Sequence, residues 1–480
     1  MIICCILGIC KPKGVFIVEH VYAVILAAGA GTRMKSEKAK VAHELCGKPM
    51  INWVIDAVKG AGVEEIIVVT GYQEEQVRGC ISENVIFTSQ KEQLGTGHAL
   101  MQAMPLLNGR KGSCLVLCGD IPLITAQTLR NLAENHINSG RAMTVLTAVV
   151  EDPHGYGRII RDSMGNACRI VEQKDADEKQ RNIKEINSGI YCYDIQWLEE
   201  SLKKLDNNNM QKEYYLTDTV SIICENGGSV GAITLDNHEE MLGINDRVQL
   251  AAAERILNRR IIERHMKNGV TFLIPDSCIV EERVSIGSDT VIYPGTILKG
   301  STSIGSNCVI GPNCMISDTT IDSNTKIIFS VINESRIGAN STVGPFAYLR
   351  PGSIIGEKVK IGDFVEIKKS VIGDETKISH LTYVGDAEIG KNVNLGCGVV
   401  FVNYDGKVKN KTIVGDNSFI GCNVNLISPV EVKPNSYIAA GSTITEEVPE
   451  YSLAIARSRQ TIIRDWVIRR GMIRGEKSDT

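Results

Sequence analysis

The chain has 480 residues, 43% of them hydrophobic and 22% charged, a balance typical of a globular protein rather than a disordered or fibrous one. That length exceeds one ordinary core and implies two or three domains. A formal charge of −4 excludes a broad basic footprint for nucleic acid or an anionic membrane, so anions must be held by local clusters.

The fifteen cysteines form no C-x-x-C pair and no Cys/His set at zinc spacing. Most fall inside apolar runs, as Cys114 and Cys118 do, which points to reduced thiols and a cytoplasmic setting. The first ten residues are apolar, but Lys11-Pro12-Lys13 follows the run instead of preceding it, the wrong order for a secretory signal. The run is also too short to span a bilayer, so residues 1–20 are read as an extension ahead of the first strand.

Short apolar runs then alternate with helical patterns. Ala23–Leu26, Glu65–Thr70 and Ser113–Leu117 each lead into glycine, and a helical pattern covers Met50 to Lys59. Strand, helix, strand in this order predicts βαβ units and a mainly parallel, Rossmann-like sheet over 21–245. Ligands of such sheets bind beyond the carboxyl ends of the strands. A helix-favouring stretch follows, opening near Asn245 or Asp246 and stopped by Asn268-Gly269; it is read as a linker helix over 246–269.

Beyond Gly269 the period becomes six. Ile286, Ile292, Leu298, Ile304, Ile310 and Ile316 form one run, and Ile337, Val343, Leu349, Ile355, Ile361 and Ile367 a second. Ile372, Ile378 and Val384 continue it, the phase slips by one at Ile389, and a last run goes from Val414 to Ile444. This period fits neither a helix nor strand alternation. It fits a parallel β-helix over 270–457, whose aliphatic anchors point inward and stack coil on coil, with a C-terminal tail over 458–480. Glycine often follows the anchor, which suggests corners with unusual backbone angles. Asn403 to Thr412 interrupts the repeats as a loop suited to binding.

Three segments carry chemistry in the first half. In Leu26-Ala-Ala-Gly-Ala-Gly-Thr-Arg-Met34, Gly29 and Gly31 let backbone N–H groups approach phosphate oxygens, and Arg33 and Lys40 add charge. It matches neither the Walker loop nor the dinucleotide fingerprint. Gln90 to Gly97 is polar and glycine-bearing, suited to a base edge, and Asp120 ends an apolar strand where a Mg²⁺ ligand would face a triphosphate. In the second half His380 faces outward by the repeat phase, near Arg350, Lys368, Tyr383, Asn394, Asn403 and Tyr404. A base of pKa near 7 is what an amine acceptor needs.

L-A-A-G-A-G-T-R-M, Q-L-G-T-G-H-A, G-D-I-P-L, G-Y-G-R-I and E-I-N-S-G-I, followed by the repeats, resemble the bifunctional GlmU family from about Val21 to about Trp466. That family joins N-acetylglucosamine-1-phosphate uridylyltransferase to glucosamine-1-phosphate N-acetyltransferase on a left-handed β-helix. The resemblance implies uridine recognition by Ala27, Gly29, Gln90, Gln93, Gly95 and Thr96, and Mg²⁺ held by Asp120 and Asn245. It implies sugar contacts from Gly157, Glu172 and Asn187, with Arg33 and Lys40 neutralising phosphates. On the β-helix it implies His380 as the base and Arg350, Lys368, Tyr383 and Lys409 on the sugar phosphate. Asn394 and Asn403 would orient the amine. Cys397, Asn403, Tyr404, Cys422, Ala440 and Arg457 would meet acetyl-CoA, and the backbone N–H at 397 would hold the oxyanion. The substrates would be UTP, acetyl-CoA and sugar phosphates, the assembly a homotrimer, with no nucleic-acid or membrane partner. The sequence departs from the family at Ala30, at Ala39 before Lys40, and at Cys397 and Cys422. The rival reading is a sugar-1-phosphate nucleotidyltransferase whose β-helix only assembles subunits.

Overall fold

The computed structural model describes residues 20–472, so the proposed extension falls, but for His20, outside the described residues. The chain divides into two compact units with the boundary between Arg260 and Ile261. That boundary falls inside the helix Arg247–Lys267.

The first unit is built on a mixed sheet. Its strands are β1 (Val21–Leu26), β2 (Glu65–Thr70), β3 (Ile86–Ser89), β4 (Ser113–Cys118), β5 (Met143–Val149), β6 (Arg158–Arg161), β7 (Ala167–Val171), β8 (Glu185–Asp194) and β9 (Val230–Thr234). The order is β9-β5-β8-β4-β1-β2-β3, with β6 and β7 paired beside β8. β1 is central and pairs in parallel with β2 and β4, which is why its run is apolar on both faces. β8 is antiparallel to both β4 and β5, so the sheet is not purely parallel. Helices α1 (Met50–Gly60) and α2 (Ala126–Ser139) cover one face, packing Val54, Val58, Leu129 and Ala133 against Ile25, Val68 and Leu117. Thr125 caps α2 through its hydroxyl on the Thr128 N–H.

The second unit is a left-handed parallel β-helix of hexapeptide repeats, made of three sheets with eleven, ten and nine strands. Before the last turn each strand pairs in parallel with the third one further on, so Ile292 lies under Ile310 and Ile310 under Ile327. These anchors are fully buried, each worth roughly 1.5–3 kcal/mol. The stretch without period between Ile316 and Ile337 is continuous helix: Ile321, Ile327 and Ile332 stack in register there. Shortened corners, not a break in the coil, hide the repeat from a strict six-residue count. The same shortening produces the slip at Ile389, which still pairs with Ile372.

Of the glycines after the anchors, Gly311 and Gly344 hold the unusual angle, at φ +100° and +102°, but Gly287, Gly305, Gly362 and Gly421 serve a different purpose. A Cβ on Gly305 would stand 2.6 Å from the Ser323 nitrogen, and one on Gly421 2.6 Å from the Ala440 nitrogen. They permit close coil-on-coil approach. Left-handed backbone recurs three residues after the anchor, on Asn307, Asn313, Asn324, Asn340, Asn392, Asn417, Asn423 and Asn435, with φ between 51° and 60°. Asparagine tolerates that region better than other side chains.

Candidate active sites

The carboxyl ends of β1 and β4 open into a cleft of about 300 Å³, lined by Ala27, Gly29, Lys40, Gln90, Gln93, Gly95, Thr96, Cys118, Asp120 and Glu213. Gly31, at φ +59°, turns the chain after β1, and a Cβ there would lie 2.6 Å from that of Lys40. A Cβ on Gly29 would meet nothing within 4 Å, so this glycine leaves backbone open towards the cleft. Gln90 is buried and donates to the Gly95 carbonyl at 3.1 Å. Gly95 is required where it stands, because a Cβ would lie 2.6 Å from the Tyr214 carbonyl oxygen.

Charge concentrates at one side of the cleft. Lys40 Nζ lies 2.5 Å from Asp120 Oδ2 and 3.3 Å from Asn245 Oδ1. Arg33 Nη2 donates to the same Asn245 oxygen at 2.9 Å. Two oxygens from residues far apart in sequence thus converge on one cationic centre. Oxygen ligands in that number, with phosphates completing the shell, suit Mg²⁺. Among the described residues there is no group of three or more His, Cys, Asp or Glu placed to hold a metal. The Cys118 thiol is pushed up to about 12 by burial and is not a nucleophile at neutral pH.

Gly157, Glu172 and Asn187 also come together. A Cβ on Gly157 would stand 3.5 Å from Glu172 Oε1 and 3.6 Å from the Asn187 Cβ. Asn187 donates through Nδ2 to the Tyr191 hydroxyl at 2.7 Å. Burial raises the Glu172 carboxyl above its ordinary value, against a 3.2 Å hydrogen bond from Thr217. The adjacent Leu216 N–H donates to the Thr96 hydroxyl at 3.2 Å, which ties this trio to the Gln90–Thr96 side of the cleft.

On the β-helix, His380 and Asp363 sit opposite one another on neighbouring coils, with Nδ1 2.5 Å from Asp363 Oδ1. The histidine holds the Asp363 carboxyl below its usual range. Lys368 is 7% exposed and its ammonium lies 3.1 Å from Asp386 Oδ2. The same oxygen accepts from Asn403 Nδ2 at 2.5 Å. A Cβ on Gly385 would stand 2.8 Å from Asn403 Nδ2 and nearer still to the Tyr383 hydroxyl, so glycine there lets the two converge. Arg350 Nη1 reaches Glu366 Oε1 at 2.9 Å, and Glu366 is the register partner of Tyr383. The interrupting loop folds back through a Tyr404–Lys409 bridge, with Asp405 accepting from the Lys407 and Val408 N–H groups. Lys409 is held below its ordinary value by Lys368 beside it.

Asn394 lies on the same sheet as the His380 strand, in register with Lys377 and Phe419. Cys397 and Cys422 follow one another up the same corner, the Asn423 N–H bonding to the Cys397 carbonyl and the Gly441 N–H to that of Cys422. Ala440 continues this column, and Arg457 stands against Gly441. Tyr404 is not gathered into the group: its ring is exposed and its hydroxyl donates to Gly406. Sequence reasoning passed over Asp363, Asp386 and Glu213. The first two were findable, since Asp363 lies 17 residues before His380 and Asp386 18 after Lys368, one coil in each case.

A glycine turn at the carboxyl end of a strand of an α/β sheet, followed by a hexapeptide-repeat coil, is the architecture of a nucleotidyltransferase joined to an acyltransferase. Comparison with known proteins bears on both halves. Residues 23–185 match the MobA-like NTP transferase domain, 274–369 the GMPPB C-terminal domain and 411–446 six bacterial transferase hexapeptide repeats. The Bifunctional protein GlmU of Acetivibrio thermocellus is 61% identical over 96% of this chain and 100% of its own length. That of Caldanaerobacter subterraneus subsp. tengcongensis is 56% identical over 94% and 98%, and that of Clostridium novyi 54% over 94% and 99%. The chain belongs to the bifunctional GlmU family. It is a transferase with two activities, acetyl transfer to glucosamine 1-phosphate and uridylyl transfer to N-acetylglucosamine 1-phosphate, with acetyl-CoA and UTP as donors. No helix among the described residues is long and apolar enough to cross a membrane.

Proposed function

We propose that the chain makes UDP-N-acetylglucosamine in two steps at two separate sites, acetylation at His380 preceding uridylylation in the cleft of the first unit, as a cytoplasmic homotrimer. The observation that carries the first site is the convergence of Asp120 and Asn245 on one cationic centre beside Lys40 and Arg33. Asp120 and Asn245 would hold Mg²⁺, which when bound neutralises phosphate charge. Arg33 and Lys40 steady the remaining phosphate oxygens, Gln90, Gln93, Gly95 and Thr96 read the base, and Gly157, Glu172 and Asn187 hold the acetamido sugar. A sugar 1-phosphate is already an anion near neutral pH, its second pKa being about 6. Attack on the α-phosphorus of UTP therefore needs alignment and charge neutralisation rather than a general base, and pyrophosphate leaves.

In the second site the Asp363 carboxylate engages His380 Nδ1 and leaves Nε2 to take the proton from the sugar amine. Arg350, Lys368, Tyr383 and Lys409 grip the sugar phosphate, while Asn394 and Asn403 orient the amine. The amine nitrogen attacks the thioester carbonyl, the N–H of Cys397 steadies the oxyanion, and coenzyme A leaves as the thiol. Asp386 is a positioning residue, since one of its oxygens fixes both Lys368 and Asn403.

Mass analysis of products from glucosamine 1-phosphate, acetyl-CoA, UTP and Mg²⁺ tests the whole scheme. UDP-N-acetylglucosamine is expected only with both donors present. Product formed solely from supplied N-acetylglucosamine 1-phosphate would reduce the β-helix to a scaffold.

A further inference from the structure

Two cysteines occupy consecutive places in the corner column that begins with Asp363 and His380. Ile378 pairs with Leu395 and Leu395 with Ile420, which sets Cys397 one coil beyond His380 and Cys422 one coil beyond Cys397. The stacking is close: a Cβ on Gly396, next to Cys397, would lie 2.6 Å from the Cys422 nitrogen. Residues in this position on adjacent coils are separated by the interstrand spacing of about 4.8 Å. Disulfides span Cα separations of roughly 4.4–6.8 Å and Cβ separations of roughly 3.5–4.5 Å, so the Cα spacing is in range and the two Cβ atoms need to close by only a few tenths of an ångström. Side chains of this column do meet between coils, as the His380–Asp363 contact shows.

Among the described residues Cys422 is the exposed cysteine, and Cys397 is half-buried, as are Cys80, Cys118, Cys168 and Cys224. Cys46, Cys114, Cys192, Cys278, Cys308 and Cys314 are buried. Burial also raises the thiols of Cys114, Cys192, Cys308 and Cys314, which disfavours their thiolates.

We propose that Cys397 and Cys422 are a thiol modification site that closes into an intramolecular disulfide by exchange with a low-molecular-weight disulfide, switching off acetyl transfer alone. In the exchange one cysteine thiolate attacks the small disulfide and expels one small thiol. The second cysteine then attacks the mixed disulfide and expels the other. Two cysteine thiols are oxidised and one small disulfide is reduced to two thiols, so electrons and protons balance. The consequence for activity rests on the acetyl-transfer reading given above: the bridge covers the strip where the thioester lies and fixes the side chain next to the Cys397 N–H. Loss of acetyl transfer on the order of a hundredfold follows from displacing one oxyanion donor.

The test treats the full chain with oxidised glutathione and follows both activities and the peptide map. Expected are a Cys397–Cys422 cross-linked peptide, lost acetyl transfer that dithiothreitol restores, and unchanged uridylyl transfer. Cys397→Ser and Cys422→Ser should each lack the cross-link, and each should keep its own acetylation rate through oxidation, whatever that rate is. Cys168→Ser should remain sensitive. No cross-link, or a loss of activity that persists in both serine variants, overturns the proposal. A cross-link with acetyl transfer intact overturns the switch. If the reduced wild-type protein transfers no acetyl group, the reading of the site has failed instead, and the cross-link still reports on the cysteine pair.

Discussion

His380 and Asp363 come from successive coils, and their contact fixes which ring nitrogen is left to act. Asp363→Asn keeps the shape but favours the wrong tautomer, so acetyl transfer should fall by about a hundredfold to ten-thousandfold. Uridylyl transfer should be untouched, and equal acetylation rates for variant and wild type would show that the pair is incidental. Asp120→Ala should do the converse, removing one of the two oxygens that face Lys40 in the cleft. Uridylyl transfer should fall by on the order of a thousandfold with acetylation intact; loss of both would contradict separate sites. Individual candidate residues stand out where a motif is contiguous, as in Leu26 to Met34 or Gln90 to Gly97, both of which line the cleft. Asp363 and Asp386 could be found only through the coil spacing, 17 and 18 residues from His380 and Lys368, and not through their neighbours. Asn245 could be named from family likeness alone, since its link to Lys40 joins residues 205 apart.

At the scale of elements, the repeat was read from its anchors, and the anchors form the stacks. The inference from glycine to backbone angle held at Gly311 and Gly344 but not at Gly305 or Gly421, because chain order shows where a small residue recurs but not whether space or torsion demands it. Gly421→Ala tests the distinction. With the Ala440 nitrogen 2.6 Å from the new Cβ, the neighbouring coil must move, at a cost of about 1–3 kcal/mol. A thermal melt of the second unit unchanged by the substitution would leave the glycine without that role. In the first unit, α2 buries His136 beside Thr144, and burial lowers the imidazole from 6.5 to about 4. The unfolded chain therefore binds the extra proton first as pH falls. Stability contributed by the neutral ring is complete above pH 6.5 and declines as pH drops towards 4, by about 3 kcal/mol in all. Urea midpoints read by Trp53 and Trp197 fluorescence should show this slope, and His136→Gln should flatten it.

At the scale of the whole molecule, one feature of the β-helix concerns more than a single chain. Phe329, Phe346 and Phe364 stack up one corner with ring centroids 5.5 Å apart at each step. They are 37%, 55% and 58% exposed, and Leu381, directly after His380, extends the row at 57%. Three phenylalanines held at positive φ, between 44° and 59°, spend backbone strain to present apolar rings to solvent. A row of that kind suits the dry centre of a contact with a second copy of the chain. It ends at His380, the base proposed for acetyl transfer, so that site would be completed by assembly whereas the uridylyl site would not. Phe364→Glu should then shift equilibrium sedimentation from trimer towards monomer and depress acetyl transfer in step, leaving uridylyl transfer in place. A variant that stays trimeric would put the contact elsewhere, and a monomeric wild type would end the case for assembly altogether.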